Sequence, residues 1–319
     1  MTIRARLYDA RGDDRDIDLT DEAVGDVGDR RLLWVDLDDR SEDDLGRLAG
    51  ALELDEPIVR QLRTDSRRAR LLRFPDRIVV TLGALERDGE SVARRELDVI
   101  VGRNVVVTVH DGDLSAIDDF RAELRDENVL GELDAGAFMT GLIDSVLAGY
   151  FREIDEIDRQ IEALDQVALK TSDDDDFLAR VVSLRRRIAL VRRSLTPNRE
   201  ALGPLVRPDF EVHDDVVRAW PGTIDRLERA IDAIEKSREL LVGSFDIYLG
   251  HAAHRANDVM KILTILSAIV LPGVVLAGVM GMNFQIAFFD RPDNFWVVVG
   301  AMVIFATVIV VVARWRRWL

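Results

Sequence analysis

The 319-residue chain contains no cysteine. Disulfides, thiolate metal ligands and thiol nucleophiles are therefore excluded. A bound metal has only oxygen donors and four histidines to draw on, a donor set that favours hard cations such as Mg²⁺. Aromatic residues are scarce, at 6%. Basic residues are outnumbered: 43 Lys and Arg against 59 Asp and Glu give a formal charge of −16. A surface of that sign does not displace counterions from nucleic acid, whereas it does concentrate cations. For most of the acidic residues solubility is explanation enough. Neither a Walker A sequence nor a G-x-G-x-x-G occurs, so an ATP-driven pump is not expected. No nucleophile–base set and no metal-ligand spacing points to an enzyme. The opening MTIRARLYDARGDD lacks the apolar run of a signal peptide, and the bulk of the chain is expected on the cytoplasmic side.

Charge itself is missing from one region. Residues 1–261 carry nearly all of it and 262–313 almost none. Two 19-residue runs, Ile262–Met280 and Phe295–Ala313, have no charged side chain. As a helix each spans about 28 Å, matching a hydrocarbon core of roughly 30 Å. Buried core helices would show a polar face or find equally apolar elements around them, and neither is present. Arg314, Arg316 and Arg317, beside Trp315 and Trp318, follow the second run, and Arg255 and Lys261 precede the first. By the positive-inside rule both flanks face the cytoplasm and residues 281–294 form a short outer loop. The expected topology is a cytoplasmic body on one hairpin in the inner or plasma membrane, both termini inside. Two helices do not enclose a water-filled path, so ion passage would need several copies around a shared axis.

The body reads as α+β. Leu32–Val35, Arg77–Leu82, Leu97–Val101 and Asn104–His110 have the composition of strands, with a tight turn at Gly102–Arg103. Glu42–Leu52 and Leu114–Asp126 read as helices, and together these make a mixed α/β domain over residues 1–133. Beyond Ala135 the period becomes helical: Phe138, Leu142, Val146, Tyr150, Ile154, Ile157 and Ile161 recur every three or four positions. A second helix is expected over Asp176–Leu195, stopping before Pro197. The acidic run Asp173–Asp176 at its start complements the helix dipole, which accounts for it without a metal. Residues 134–222 thus form a helical, coiled-coil-like subdomain. A last long helix is expected to begin near Pro221–Gly222, where the missing proline N–H is not needed. Its stripe of Leu227, Ile231, Ile234, Leu241, Phe245, Tyr248 and Ala252 is interrupted at Arg238. With no breaker before Pro272, residues 224–280 make one helix of about 85 Å. Residues 223–261 are then a stalk that couples the body to a membrane pore domain over 262–319.

Directly after the first apolar run stands Gly281–Met282–Asn283–Phe284, at the outer mouth of a membrane helix and ahead of a short loop. In that setting the chain resembles the CorA family of divalent-cation (magnesium) transporters of the GMN-motif type. The resemblance extends to NDVMKILTIL (Asn257–Leu266), Pro272, AGVMGMNF (Ala277–Phe284), DIYL (Asp246–Leu249), IDSVLAGYF (Ile143–Phe151) and the basic end Arg314–Leu319. It implies a funnel-shaped homopentamer whose first membrane helices line the pore, with Gly281, Met282 and Asn283 as the selectivity filter. It also implies passive, potential-driven transport that closes when cytoplasmic divalent cation occupies acidic sites between subunits. Asp88 and Asp225 are the nearest positions for such sites, while Gly222 stands where one family site lies. Val274 replaces a threonine that well-known members carry in the pore, and Met280 stands where the family often has tyrosine.

The physical reading agrees with that expectation. Mg²⁺ gives up its inner waters reluctantly, so a filter is better built for the hydrated ion. A ring of Asn283 amides offers neutral oxygens, whereas carboxylates would slow release. Gly281 lets the backbone turn and expose its carbonyl. Met282 packs rather than coordinates, a thioether being a poor ligand for a hard cation. Asn257, Met260, Leu263, Ser267, Leu271, Val274 and Gly278 share one helix face, as pore lining or as packing between helices. In the pore reading Asn257 forms a polar ring, and Met260, Leu263 and Leu271 form apolar constrictions that gate by dewetting. Asp290 and Asp293 either gather cations at the mouth or simply solvate the loop. A divalent ion gains about 4.6 kcal/mol per 100 mV. The expected cargo is Mg²⁺, with Co²⁺ and Ni²⁺ also passing, and no organic cofactor. The expected partners are further copies of the chain, divalent cations and the bilayer, not nucleic acid. One alternative is a Zn²⁺ transporter of the ZntB branch, with His251 and His254 one turn apart as ligands. Met282 and an outer loop without extra glycine favour the CorA-like reading. The other is a membrane-anchored scaffold that conducts nothing, which leaves the pore-facing Asn residues and the outer motif unexplained.

Overall fold

In β1 (Ile3–Asp9) Ile3, Ala5 and Leu7 alternate with Arg4 and Arg6, the period that sends successive side chains to opposite sides of a sheet. The computed structural model describes residues 3–9, 14–19, 27, 31–64, 68–89, 91–126, 135–169, 176–206, 214–282 and 293–316. These divide into two compact units, Met1–Val167 with Ser172–Gly243, and Ala168–Thr171 with Ser244–Leu319.

The first unit holds the sheet. Its other strands are β2 (Arg15–Ile17), β3 (Arg31–Leu37), β4 (Arg70–Arg73), β5 (Ile78–Asp88), β6 (Ser91–Val101) and β7 (Val105–His110). They lie in the order β2-β1-β3-β7-β6-β5-β4. Only β3 and β7 pair in parallel, from Leu33 opposite Val105 to Leu37 opposite Val109. The β5–β6 ladder runs from Ile78 opposite Val101 to Asp88 opposite Ser91, and Gly89 takes the turn at φ +59°. This hairpin is longer than the expected strands. Its outer half carries Glu86, Arg87, Arg94 and Arg95, and that run of charge disguises it in the sequence.

Two layers of helix cover the sheet. On one face α1 (Glu42–Ala51) and α2 (Glu56–Leu62) bury Leu45, Leu48, Ile58 and Leu62 against Leu33, Val35, Leu37, Val107 and Val109. Each such side chain contributes about 1.5–3 kcal/mol. Ser41 starts α1 by accepting the Asp44 amide at 3.3 Å. On the other face Trp34 meets Phe120 of α3 (Ser115–Asp126) and Phe138 of α4 (Ala135–Leu169), both edge-on, with ring centroids 5.9 and 5.4 Å away.

Helix α5 (Phe177–Leu202) does not stop before Pro197. Pro197 forfeits one helical hydrogen bond, but its neighbours Leu195, Asn198, Ala201 and Leu202 are all buried. Asn198 accepts the Gly83 amide and donates to the Gly83 carbonyl, both at 2.8 Å. Strand β4 reaches only to Thr81, so Asn198, with the Tyr150 hydroxyl that donates to the same carbonyl at 2.6 Å, completes the free edge of β5. Helix α6 (Asp214–Met280) likewise starts seven residues before Pro221. The wholly buried Trp220 anchors that first stretch, and Pro221 faces solvent.

Within the first unit the buried seam of α6 is a heptad. Trp220, Leu227, Ile234 and Leu241 alternate with Thr223, Ala230 and Ser237. The expected apolar stripe catches Leu227, Ile234 and Leu241 but misses the small layer. Its apparent interruption is a matter of register: Arg238 points to solvent beside the buried Ser237, whose hydroxyl donates to the Ala233 carbonyl at 3.0 Å. Ion pairs flank the seam, Arg192 to Glu235 and Arg199 to Glu228 at 2.7 Å, and Arg226 to Asp144 at 3.0 Å.

Candidate ion-conduction site

The second unit holds the end of α6 and α7 (Asp293–Trp315). Both are long and apolar enough to cross a membrane. Their apolar surface is not used up inside the chain: Leu263, Leu271 and Val274 on α6, and Trp296, Ile304 and Val311 on α7, keep 55–71% of their exposure. A soluble protein does not present such a surface to water.

The two helices meet along a narrow line. Ile265 is buried, and Ile269, Pro272, Gly273 and Met280 are half-buried. On α7 Met302, Ala306 and Ile309 are half-buried and Ala313 is buried. A Cβ on Gly273 would lie 2.9 Å from the Met302 Cε, so the missing side chain lets the helices approach.

Seen against that line, the seven expected pore residues fall elsewhere. Met260, Leu263, Ser267, Leu271, Val274 and Gly278 lie about half a turn round α6 from the α7 contact, at 100° per residue, and Asn257 about a quarter turn. All seven are exposed. Thr264 on the flank donates to the Met260 carbonyl at 2.7 Å.

At the end of α6 the hydrogen bonding tightens. Gly281 donates to the Ala277 carbonyl at 2.9 Å in the α pattern, and Met282 donates to Val279 at 3.2 Å in the 3₁₀ pattern. Gly281 does not adopt a positive φ. What its lack of a Cβ provides is clearance, since a Cβ would sit 3.3 Å from the Ala277 carbonyl. The terminal carbonyls and the negative end of the helix dipole make this end attractive to a cation. Asn283 and Asp290 lie outside the described residues, and Asp293 is the first residue of α7. Edge-on Phe295 and Trp296 stand at one end of α7, with Arg314, Trp315 and Arg316 at the other.

The remaining candidates are dispersed. Asp88 is exposed at the tip of the β5–β6 hairpin, and Asp225 is exposed on α6 beside Arg226. His251 and His254 are exposed on α6. Asp258, one turn further on, bonds Lys261 at 2.8 Å, and that hydrogen bond holds its carboxyl below the usual range. Among the described residues no group of three or more His, Asp or Glu is arranged to hold a metal within one chain. Two features escaped the sequence reading. The Asp144–Arg226 pair has no local pattern to betray it, whereas the Gly273–Met302 approach is foreshadowed by a glycine inside an apolar helix.

An α/β unit carrying two membrane helices defines a class of integral membrane protein. The family model described as CorA-like Mg²⁺ transporter protein matches residues 29–314. The chain belongs to this family and is a CorA-like divalent-cation transporter. It is 26% identical over 250 residues to the cobalt/magnesium transport protein CorA of Thermotoga maritima, covering 76% of this chain and 70% of the relative. The complete structure of the CorA magnesium transporter from Methanocaldococcus jannaschii superposes with a TM-score of 0.85 at 21% identity, over 100% of this chain and 99% of the other. Full-length CmaX gives a TM-score of 0.78 at 24% identity, over 99% and 98%. These two likenesses establish the shared fold of α/β unit, long helix and C-terminal apolar helix.

Proposed function

We propose that five copies of this chain surround a pore lined by α6, through which Mg²⁺ crosses passively down the membrane potential. One observation carries the reading. A continuous exposed face of α6, turned away from α7, leads to Gly281–Met282 and so to Asn283. In lipid, an exposed face that includes Ser267 and Gly278 is better buried against other copies or lining water than facing acyl chains. Five α6 ends brought to one axis would sum their dipoles at the outer mouth, where Asn283 presents amides to a hydrated ion. Met260, Leu263 and Leu271 are the dewetting constrictions, and Asn257 the polar ring below them. Val274 supplies no hydroxyl, so no intermediate ion site forms there. Asp290 and Asp293 enrich cations at the entrance. Both termini lie in the cytoplasm, by the basic flanks Arg255, Lys261, Arg314 and Arg316.

Gating by cytoplasmic divalent cation is assigned to exposed carboxylates that two subunits would share, Asp88 and Asp225 among them. Such a bridge would hold neighbouring copies in one arrangement, and its loss would release them. The zinc reading rests on the exposed His251 and His254. Reconstituted vesicles with an internal Mg²⁺ dye separate these readings. Inside-negative potential should drive uptake in wild type and not in Asn283→Ala. Wild-type vesicles that take up Zn²⁺ but not Mg²⁺ would establish the zinc reading, and vesicles inert to both would leave a scaffold.

A further inference from the structure

The face of the sheet under α3 contains a buried histidine that the ion path does not use. His110, the last residue of β7, is 3% exposed. Its Nδ1 lies 2.7 Å from the Gly112 carbonyl oxygen, which only accepts, and its Nε2 lies 3.2 Å from Asp36 Oδ1. A neutral imidazole has one N–H and can serve one of these oxygens, whereas the imidazolium serves both. Asp36 is committed as an anion. Thr108 donates its hydroxyl to Oδ1 at 2.6 Å while accepting Trp34 Nε1–H at 3.0 Å, and Arg121 donates to Oδ2 at 2.6 Å.

The cluster ties three elements. Asp36 belongs to β3 and His110 to β7, while Arg121 comes from α3, where it also holds Asp118 at 2.7 Å and lies 5.2 Å from the Trp34 ring. The turn after His110 is closed by Gly112 at φ +71°, whose amide donates to the Asp38 carbonyl at 3.0 Å. The charged groups around the imidazole are Asp36 and Asp38 from β3 and its end, Arg121 and Asp118 from α3, and Asp111 of the turn, which holds Arg40. Its β6 neighbour, Leu97, is apolar. Burial disfavours the charged ring, but Asp36, the Gly112 carbonyl and Asp38 outweigh it and raise the pKa above the ordinary histidine value.

We infer that His110 is a protonation-controlled clamp that holds the β7–α3 turn to the end of β3. Loss of its proton turns a ring lone pair toward either the Gly112 carbonyl or the Asp36 carboxylate. Two acceptors then face each other, and the turn keeps only the Gly112 amide bond to Asp38 and the Asp111–Arg40 contact as ties to the end of β3. The clamp makes the start of α3 sensitive to rising cytoplasmic pH.

Hydrogen exchange of the full chain in detergent micelles tests this, comparing protection at about pH 6 and about pH 8.5 after dividing out intrinsic exchange chemistry. Wild type should lose about ten-fold protection over residues 110–121 at the higher pH, with the β5–β6 ladder unchanged. His110→Gln has a single donor nitrogen in place of two and should show the lower protection at both pH values. Unchanged wild-type protection over 110–121, or a uniform loss across the whole unit, overturns the clamp and needs no variant. A His110→Gln protein that keeps the full wild-type response overturns it equally.

Discussion

In the sheet-bearing unit Asn198 reaches 115 positions back to the Gly83 peptide, and Arg121 reaches 85 back to Asp36. In the membrane unit Thr264 and Thr307 donate to carbonyls four residues earlier, and Lys261 bonds Asp258 three residues earlier. The contrast follows from two solvents. In the body, most polar groups carried inside by collapse find a partner, and a distant side chain serves as well as a near one. In lipid the helix satisfies its own backbone, so polar side chains turn back on their own turn and the helices pack through small residues.

The largest effect expected from that difference is at Asn198. Alanine there removes both bonds to the Gly83 peptide and leaves the amide beside the buried Tyr150 hydroxyl, which itself donates to Gly83 at 2.6 Å. The expected loss is about 3 kcal/mol by chemical denaturation of the full chain in detergent. Ser237→Ala, which removes only a bond within its own helix, should stay within about 0.5 kcal/mol. Equal losses would abolish the distinction.

Next comes Asp36. Burial opposes its charge, but His110, Thr108 and Arg121 outweigh burial and hold its carboxyl below the usual range. A depressed carboxylate stabilises above its unfolded pKa, and that stability is lost as pH falls through the folded pKa. A raised histidine stabilises below its unfolded pKa, and that stability is lost as pH rises through the folded pKa. Asp36→Asn should therefore cost about 2 kcal/mol near neutrality and flatten both limbs of a plot of Tm against pH. A variant whose acid limb keeps its slope would show that other carboxylates control acid unfolding.

The same division explains what was legible in the sequence. The two membrane helices announce themselves because their signal is local: 19 residues without charge, closed by Arg314 and Trp315. The spacing that selects Leu263, Ser267 and Val274 is also local. The helix after Ala135 and the central strands were legible for the same reason. Strand β1 carries a local signal too, the period-two alternation of Ile3, Ala5 and Leu7 with arginines, but it is short and lies outside the expected strands. Helix α5 runs past its local stop signal, because Pro197 predicts an end while Asn198 anchors the chain just beyond it by a long-range bond. The serine and alanine layer of α6 was hidden because small residues carry little hydropathy. The Asp36–His110–Arg121 cluster, drawn from three separated segments, had no local signature. Asn283 and Asp290 fall outside the described residues: Asn283 is read from its motif and the resemblance, Asp290 from its place in the outer loop.

Inside the hairpin the sharpest packing constraint is Gly273. Alanine should be tolerated, because the atom its Cβ would meet is the mobile end of Met302. Leucine has no such escape and must push α7 away, at about 1–2 kcal/mol. Thermal melting of the detergent-solubilised protein should lower Tm for Gly273→Leu and leave Gly273→Ala near wild type. A leucine variant as stable as wild type would mean that the two helices do not rely on close approach.

The smallest effect is the most telling about the membrane unit. The Thr264 hydroxyl donates to the Met260 carbonyl at 2.7 Å, an oxygen that also has an acceptor role in the helix ladder. Valine has nearly the same shape, and removing the hydroxyl orphans no group. Thr264→Val should then change stability by less than about 0.5 kcal/mol. Thr264 is exposed within one chain, on the flank of the proposed pore face. If its hydroxyl instead bonds a polar group on a neighbouring copy, the loss should exceed about 1 kcal/mol and fall on the assembled form, visible as an earlier shift to monomer on gel filtration. A small loss keeps the rule that polar groups in the hairpin are satisfied within one turn. A large one would mean that the assembled membrane unit uses distant partners as the body does, with the distance measured between copies.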